Sequence, residues 1–375
     1  MLQRTPPARG AFRRLRCLLV PCLLSACDAC DPQLPPAVAS SRYIEFHTWV
    51  YPDGLVDGAV VCMDDKLAEM DRFVEFVADA LELPPPTTPI HYVHTPQALV
   101  SEDTWVCPAN AGGCFDPDGR GDQKVVYSTH LDLMHELVHA VETPALGRSH
   151  PVFEEGMANY LSTDWSSADI LPEFPTTLKA GIGPGRHPGG AVSMHFVGAL
   201  LARGTMSQYV DLRRRVGHDD GLAELAAAYE HVFGGSFAQF LDDASATPVI
   251  GLGADPLCAG PPTIPWESPG PLDVTLPWAC GDGRTFGIGK AFQTAFSLDV
   301  QREGSARMTV TSAGDGSEPE ALLDACARGG EGGFNAFLAG GGRPAPGVLI
   351  PGRHVLSVLM SSDPAATGEL SLVIE

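Results

Sequence analysis

Basic residues are scarce in this 375-residue chain: 24 lysines and arginines stand against 46 aspartates and glutamates, for a net charge of −22. Such a surface repels phosphate backbones, so no nucleic acid partner is expected. The apolar run near the N-terminus, residues 17–24, is too short for a permanent membrane span. No pair of C-x-x-C motifs occurs among the ten cysteines, which removes support for a cysteine-rich zinc knuckle. Low complexity is absent as well. The 41 glycines and 33 prolines imply many loops, but 44% hydrophobic and 19% charged residues are a globular composition. The length suits two ordinary domains.

The first 26 residues carry five arginines (Arg4, Arg9, Arg13, Arg14 and Arg16) and no acidic residue, and the apolar run ends in Leu24-Ser25-Ala26-Cys27. A basic leader, a short apolar stretch and small residues before a cysteine resemble the signal peptide and lipobox of bacterial lipoproteins. The resemblance implies a signal peptide over 1–26, acylation of Cys27, and an exported lipoprotein anchored to a membrane of the cell envelope. The other reading is an ordinary secretory signal cut nearby, and it too places the mature chain outside the cytoplasm. Export makes disulfides the default for Cys30, Cys62, Cys107, Cys114, Cys258, Cys280 and Cys326. Cys107 and Cys114 bracket a short Gly-rich loop and are the natural local pair, while an odd total leaves at least one cysteine over.

Residues 27–40 are rich in proline and alanine and read as a tether. Alternation over 43–50 predicts a strand. Leu67, Met70, Phe73, Val74, Val77 and Leu81 fall at helical spacing, and Pro84-Pro85-Pro86 ends that helix. Residues 90–95 and 124–128 read as further strands, the second running into another helix, so residues 41–247 have an α+β layout. His91 and His94 are three apart on a strand and face opposite sides, so they do not share a metal; each reads as a structural or surface residue. Residues 248–271 lack periodicity and read as a linker. Beyond them, short alternating runs at 272–276, 291–298, 306–311, 352–359 and 368–374 predict an all-β sandwich over 272–375.

The helix after residue 128 carries His135-Glu136-Leu137-Val138-His139. Two histidines four apart lie one turn apart on the same helix face, so both rings can grip one ion. Glu136, rotated roughly 100° from the first of them, can serve as a base toward a metal-activated water without being a ligand. A second helical stretch, 151–161, sets Phe153, Met157, Tyr160 and Leu161 on one face and carries Glu154 and Glu155 near its start. Acidic residues favour helix N-termini through the macrodipole alone, so these residues by themselves leave the third ligand open. His150 is a rival for it.

His-Glu-x-x-His followed by Glu155-Gly156-Met157-Ala158-Asn159-Tyr160 resembles the signature of the gluzincin zinc metallopeptidases. The metzincin extension asks for glycine and histidine where this chain has Glu142 and Ala145, so that version fails. The fifteen residues between His139 and Glu155 are fewer than in the larger gluzincins, which asks for a short connection. The resemblance implies an α+β zincin-like catalytic domain, in which a small sheet, the active-site helices and a helical subdomain occupy 41–247. It implies Zn2+ held by His135, His139 and Glu155, with Glu136 as the base and a peptide or protein as substrate.

Gly156 is then expected to let its helix approach the histidine helix closely. Asn159 is expected to orient a ligand histidine from behind, while Asp132 and Glu142 read as solvated-face residues. Apolar-periodic helices over 191–202, 221–229 and 231–241 resemble the subdomain that closes gluzincin clefts. An oxyanion donor is needed as well; His195 is the candidate, with Tyr209 and His231 behind it. The run from Pro351 to Val358 is similar to the last strands of the pre-peptidase-type β domains beside secreted bacterial peptidases. The alternative function is a surface lipoprotein that binds zinc without turnover and acts as a binding or structural module.

Overall fold

A computed structural model describes residues 34–48, 60–95, 106–108, 111–116, 124–129, 134–163, 166–252, 263–264, 266, 271–279, 285–288, 291–301, 304–313, 320–326, 337–340, 345–349, 351–361 and 367–374. The leader, Cys27 and Asp132 lie outside the described residues. In chain order the first half comprises β1 (Ala37–Ser40), β2 (Ile44–Thr48), β3 (Val60–Val61), α1 (Met63–Ala80), β4 (Ile90–His94), β5 (Gly113–Asp116) and β6 (Lys124–Ser128). Helices follow: α2 (Met134–Leu146), α3 (Pro151–Ser162), α4 (Phe174–Gly181), α5 (Gly190–Arg203), α6 (Met206–Arg215), α7 (Leu222–Phe233) and α8 (Phe237–Ala244). No helix among the described residues is long and apolar enough to cross a membrane.

Five strands form one sheet in the order β1-β2-β4-β6-β5. The inner strands β2, β4 and β6 run parallel, and the outer two pair antiparallel to their neighbours. Parallel strands are normally covered on both faces, and this sheet obeys. Ile44, Phe46, Ile90, Tyr92 and Val126 point to one side and join a core with Leu67, Met70, Phe73, Val74 and Val77 of α1 and Leu137, Val138 and Val141 of α2. Val93, Val125 and Tyr127 point to the other, where Cys107, Leu34, Ala111 and Cys114 cover them. A disulfide between Cys107 and Cys114 closes the segment before β5 onto that face. Cys62 and Cys326 each take part in a disulfide as well.

The tether expected over 27–40 ends earlier than its composition implies, because Ala37–Ser40 is the edge strand β1. Asp71 of α1 fastens the turn that follows. It accepts from Ser41 Oγ at 2.7 Å and from the Tyr43 amide at 3.0 Å. With a third from the Arg42 amide, three hydrogen bonds to a charged acceptor hold an edge that proline-rich sequence alone would leave loose.

Helix α5 is buried on nearly every side, with Met194, His195, Phe196, Val197 and Leu200 all inside, so it is the axis of the helical half. Gly156 meets this helix rather than α2. A Cβ at that position would lie 2.5 Å from Ser193 O and 2.5 Å from Val197 Cγ2. The expectation of a close α2–α3 crossing at Gly156 is therefore corrected: the missing side chain admits α5. Helix α6 is poor in apolar residues and begins on a capping box, Thr205 with Gln208.

After residue 262 come β7 (Thr263–Ile264), β8 (Leu272–Ala279), β9 (Thr285–Ile288), β10 (Ala291–Val300), β11 (Gly304–Ala313), β12 (Glu320–Ala325), β13 (Phe337–Gly340), β14 (Ala345–Leu349), β15 (Gly352–Ser361) and β16 (Thr367–Ile374). Two sheets result, β13-β12-β15-β10-β9-β3 with β7 beside β10, and β14-β11-β16-β8. They share one core, in which Phe296, Leu298, Leu323, Leu356 and Val358 of the first meet Leu276, Met308, Val310 and Ile374 of the second. Two boundaries differ from composition. The two residues of β3 pair with β9 of this unit, although they precede α1. The presumed linker is used at both ends: the Leu252 amide donates to Tyr160 O, and β7 lies along β10.

Gly156→Ala forces α3 and α5 apart and should cost about 1–3 kcal/mol of stability, the usual penalty for overpacking. Urea unfolding monitored by far-UV circular dichroism measures it.

Candidate metal centre

Helix α2 brings His135, Glu136 and His139 to one end of a cleft, and α3 brings Glu155 against them. The two ring Nε2 atoms lie 3.2 Å apart. His135 Nε2 is 3.2 Å from Glu155 Oε2, and His139 Nε2 is 3.6 Å from Glu155 Oε1. An ion bonded tetrahedrally at the usual zinc distances to nitrogen and oxygen holds its donors about 3.3 Å apart. The His135–His139 side and the His135–Glu155 Oε2 side match that value, while His139 faces the other carboxylate oxygen. With one ligand atom apiece within 4.8 Å of one another, these residues form a group that could hold a metal. Two imidazoles and one carboxylate do not suit calcium or magnesium, which take oxygen ligands.

Protonation reflects the same convergence. Burial is the largest influence on Glu155 and opposes its charge, yet His135 and His139 together outweigh it and hold the carboxyl far below its ordinary range. For His139, burial favours the neutral ring most strongly, but the hydrogen bond and charge of Glu155 raise its pKa on balance. Glu136 is different. Burial raises its pKa, with His139 and His135 pulling the other way, and its carboxylate is hydrogen bonded to the backbone of Phe115 on β5. It thus faces the cleft between the donor triangle and the edge strand.

The rival third ligand, His150, is already used. Its Nδ1 accepts from the Val152 amide at 3.2 Å, capping α3, and its Nε2 faces the Gly183 carbonyl at 3.2 Å. Glu154 turns away from the triangle. It accepts from the Ser149 amide at 2.6 Å and lies 3.8 Å from Arg213 Nη2. Arg213, on α6, is itself 1% exposed and sets Nε 3.1 Å from Oε1 of the wholly buried Glu142 on α2. That approach is an ion contact rather than an aligned hydrogen bond. Burial lifts the Glu142 pKa to about 7 against the opposing charge of Arg213. Glu142 is thus not on a solvated face; it and Glu154 are drawn from the two helices of the candidate centre toward one guanidinium.

Three further expectations are corrected. His195 is fully buried, its Nδ1 paired with Ser167 Oγ at 2.7 Å and its Nε2 with the Ala244 carbonyl at 3.1 Å. Both ring nitrogens are occupied and the ring does not line the cleft, so it is a core residue holding α5 to α8 rather than an oxyanion donor. Asn159 gives its Nδ2 to the Glu155 carbonyl at 2.7 Å and abuts Gly190. It braces its own helix instead of orienting a histidine ring. Tyr209 is buried with its hydroxyl on the Phe153 carbonyl, and His231 is exposed on α7; neither lines the cleft.

The cleft has a volume of about 370 Å³, and its walls add groups that the sequence did not single out, chiefly Gly113, Phe115, Thr143, Arg148 and His218. His218 sits in the Gly217–Asp220 turn between α6 and α7, with Nδ1 3.0 Å from Asp219 Oδ1. A histidine in a glycine-bounded turn carries no periodic or motif signal, so only the return of the chain to the cleft reveals it.

No family model matches the chain, and no curated protein matches it. Over 28% of its length it is similar to 90% of the pre-peptidase C-terminal domain of a collagenase from Bacillus anthracis, at 17% identity and a TM-score of 0.19. Over 31% it is similar to 98% of PliG, a periplasmic inhibitor of g-type lysozyme from Salmonella Typhimurium, at 10% identity and a TM-score of 0.18. A family two carbohydrate esterase from Cellvibrio japonicus shares 15% identity over 28% of this chain and 33% of that one, with a TM-score of 0.12. Likenesses at these scores carry no argument about fold or activity.

Arg213→Ala leaves Glu142 buried without a counter-charge and should destabilise by about 3–5 kcal/mol, much of which the pair Arg213→Met with Glu142→Leu restores; denaturant midpoints of the three proteins decide it. Burial lowers the His195 pKa to about 4 from an ordinary 6.5. The folded chain then binds fewer protons than the unfolded chain across that interval. This stabilisation, up to about 3 kcal/mol, is complete above pH ~6.5 and is lost as pH falls toward ~4. Stability measured from pH 7.5 down to 4.5 should fall less steeply in His195→Leu than in the parent.

Proposed function

We propose that this chain is a zinc-dependent metallopeptidase of gluzincin type, with a zincin-like catalytic domain followed by a β-sandwich accessory domain. In this proposal it is exported and anchored to a membrane through a lipid on Cys27. One observation carries the reading. Two imidazole nitrogens and a carboxylate converge closely enough to share one ion in an open cleft, with a second, buried carboxylate beside them.

A zinc ion held by His135, His139 and Glu155 would supply Lewis-acid polarisation of a peptide carbonyl and lower the pKa of a water at its open position. Glu136 accepts a proton from the attacking water and returns it to the leaving amine. Burial raises its pKa, which brings it closer to the range where a carboxylate can do both near neutrality. Strand β5 ends the sheet and lines the cleft, so its outer edge offers backbone groups on which an extended peptide can add as a strand. Arg148 and His218 are the cationic and donor groups facing the same space, and His218 takes the oxyanion role first considered for His195.

Zinc content and cleavage of peptide pools by the parent, Glu136→Gln and His218→Ala test the proposal. All three should hold the zinc bound by His135, His139 and Glu155. Glu136→Gln should lose cleavage, and His218→Ala should lower kcat by about 10²–10³-fold. Loss of metal in Glu155→Ala but not in Glu154→Ala checks the third ligand. A zinc-loaded parent that cleaves no pool would sink the peptidase reading in favour of a non-catalytic zinc-binding lipoprotein. For the anchor, mass spectrometry of the mature N-terminal peptide should find acyl chains on Cys27, and Cys27→Ser should leave the membrane fraction.

A further inference from the structure

Glu45 and His47 lie two residues apart on β2 and so share a face of the five-stranded sheet, the one opposite α1. Parallel pairing sets His91 of β4 beside Glu45 on that same face. His47 is 5% exposed, and its Nδ1 lies 2.7 Å from the Pro35 carbonyl. A carbonyl only accepts, so the His47 proton sits on Nδ1 and its Nε2 presents a lone pair. That Nε2 is 3.1 Å from His91 Nδ1, which is 2.9 Å from Glu45 Oε2, and the third side of the triangle is 3.9 Å. With both rings neutral, a single proton on His91 Nδ1 would serve two acceptors, the His47 lone pair and the Glu45 carboxylate.

The three sides scatter about the ~3.3 Å that a tetrahedral zinc ion imposes on nitrogen and oxygen donors. The carbonyl behind His47 is the kind of outer partner that fixes the tautomer of a ligand histidine. Glu45 is 38% exposed, which leaves a route from solvent to the open side of the triangle. Among the described residues, this and the His135–His139–Glu155 group are the clusters with ligand atoms close enough to share an ion. They have no residue in common and sit on different elements.

We infer that Glu45, His47 and His91 form a second site, for a divalent transition-metal ion of zinc type. Its place on two adjacent strands, backed by the Pro35 strap that leads into β1, makes it a staple of the sheet and its N-terminal approach rather than a participant in hydrolysis.

The test uses the full chain. His135→Ala with His139→Ala removes the first site; dialysed against Zn2+, this protein should retain one equivalent and melt at higher temperature with zinc than without. Loaded with Co2+, it should show the visible absorption of a four-coordinate ion. Adding Glu45→Gln or His91→Ala should abolish all three signals. If removal of the first site prevents folding, His91→Ala in the parent gives the same answer. Bound zinc should fall from two equivalents to one, with cleavage of peptide pools unchanged. A folded His135→Ala/His139→Ala protein that binds neither zinc nor cobalt overturns the inference, as does a parent whose zinc content His91→Ala leaves unchanged. Failure of the peptidase reading shows instead in the zinc that depends on His135 and His139, or in the absence of cleavage.

Discussion

The buried contact of Arg213 with Glu142, and its reach toward Glu154, is the constraint on which the candidate centre depends. Glu142 follows His139 by three residues on α2, and Glu154 precedes Glu155 on α3, so one guanidinium from α6 faces both helices of the candidate centre. Enclosing a charge that cannot be neutralised costs several kcal/mol unless opposite charge meets it in a fixed place. The arrangement therefore penalises any rotation of α2 or α3 that would withdraw a carboxylate, and such a rotation would also open the donor triangle. On its other side α3 is held by α5, which reaches the helix axis where Gly156 has no side chain. Charge fixes one side of α3 and contact packing the other.

Within that frame the two glutamates of α3 have opposite duties. They are adjacent in sequence and about 100° apart around the helix. Glu155 meets the two imidazoles, and Glu154 ties the α2–α3 connection to α6 through Ser149 and Arg213. The short connection between His139 and Glu155 suits this tie, because the chain leaves α2, is fastened by Glu154 and enters α3 on the His150 cap. Glu136 is set off by its neighbours: buried, held by the Phe115 backbone and not part of the triangle. A carboxylate so placed stays apart from the histidine contacts that hold Glu155.

The sheet serves both of its faces. Toward α1 and α2 it is apolar and supports the helix that carries the motif. Toward the N-terminal strap it carries the Glu45, His47 and His91 cluster beside an apolar patch closed by the Cys107–Cys114 disulfide. Strand β5 carries Cys114 of that disulfide and lines the cleft. A covalent clip thus positions the edge that lines the cleft.

Local spacing determined a good deal on its own. The helical period puts His135 and His139 on one turn with Glu136 beside them, and the apolar repeat from Leu67 to Leu81 fixes the buried face of α1, because both depend only on residues a turn apart. The pairing of Cys107 with Cys114 was likewise readable from a short loop. Contacts between segments were not. Glu142 looks solvated until α6 brings Arg213 to it, and His195 has the chemistry of an oxyanion donor until Ser167 and Ala244 occupy both its nitrogens. His218 reaches the cleft from a turn with no pattern, and His91 meets Glu45 and His47 only once β2 and β4 are in register. A spacing of three or four residues is set by backbone geometry shared by every helix. The partner met across 20 or 70 residues is set by which faces pack, and that is decided by the whole core at once.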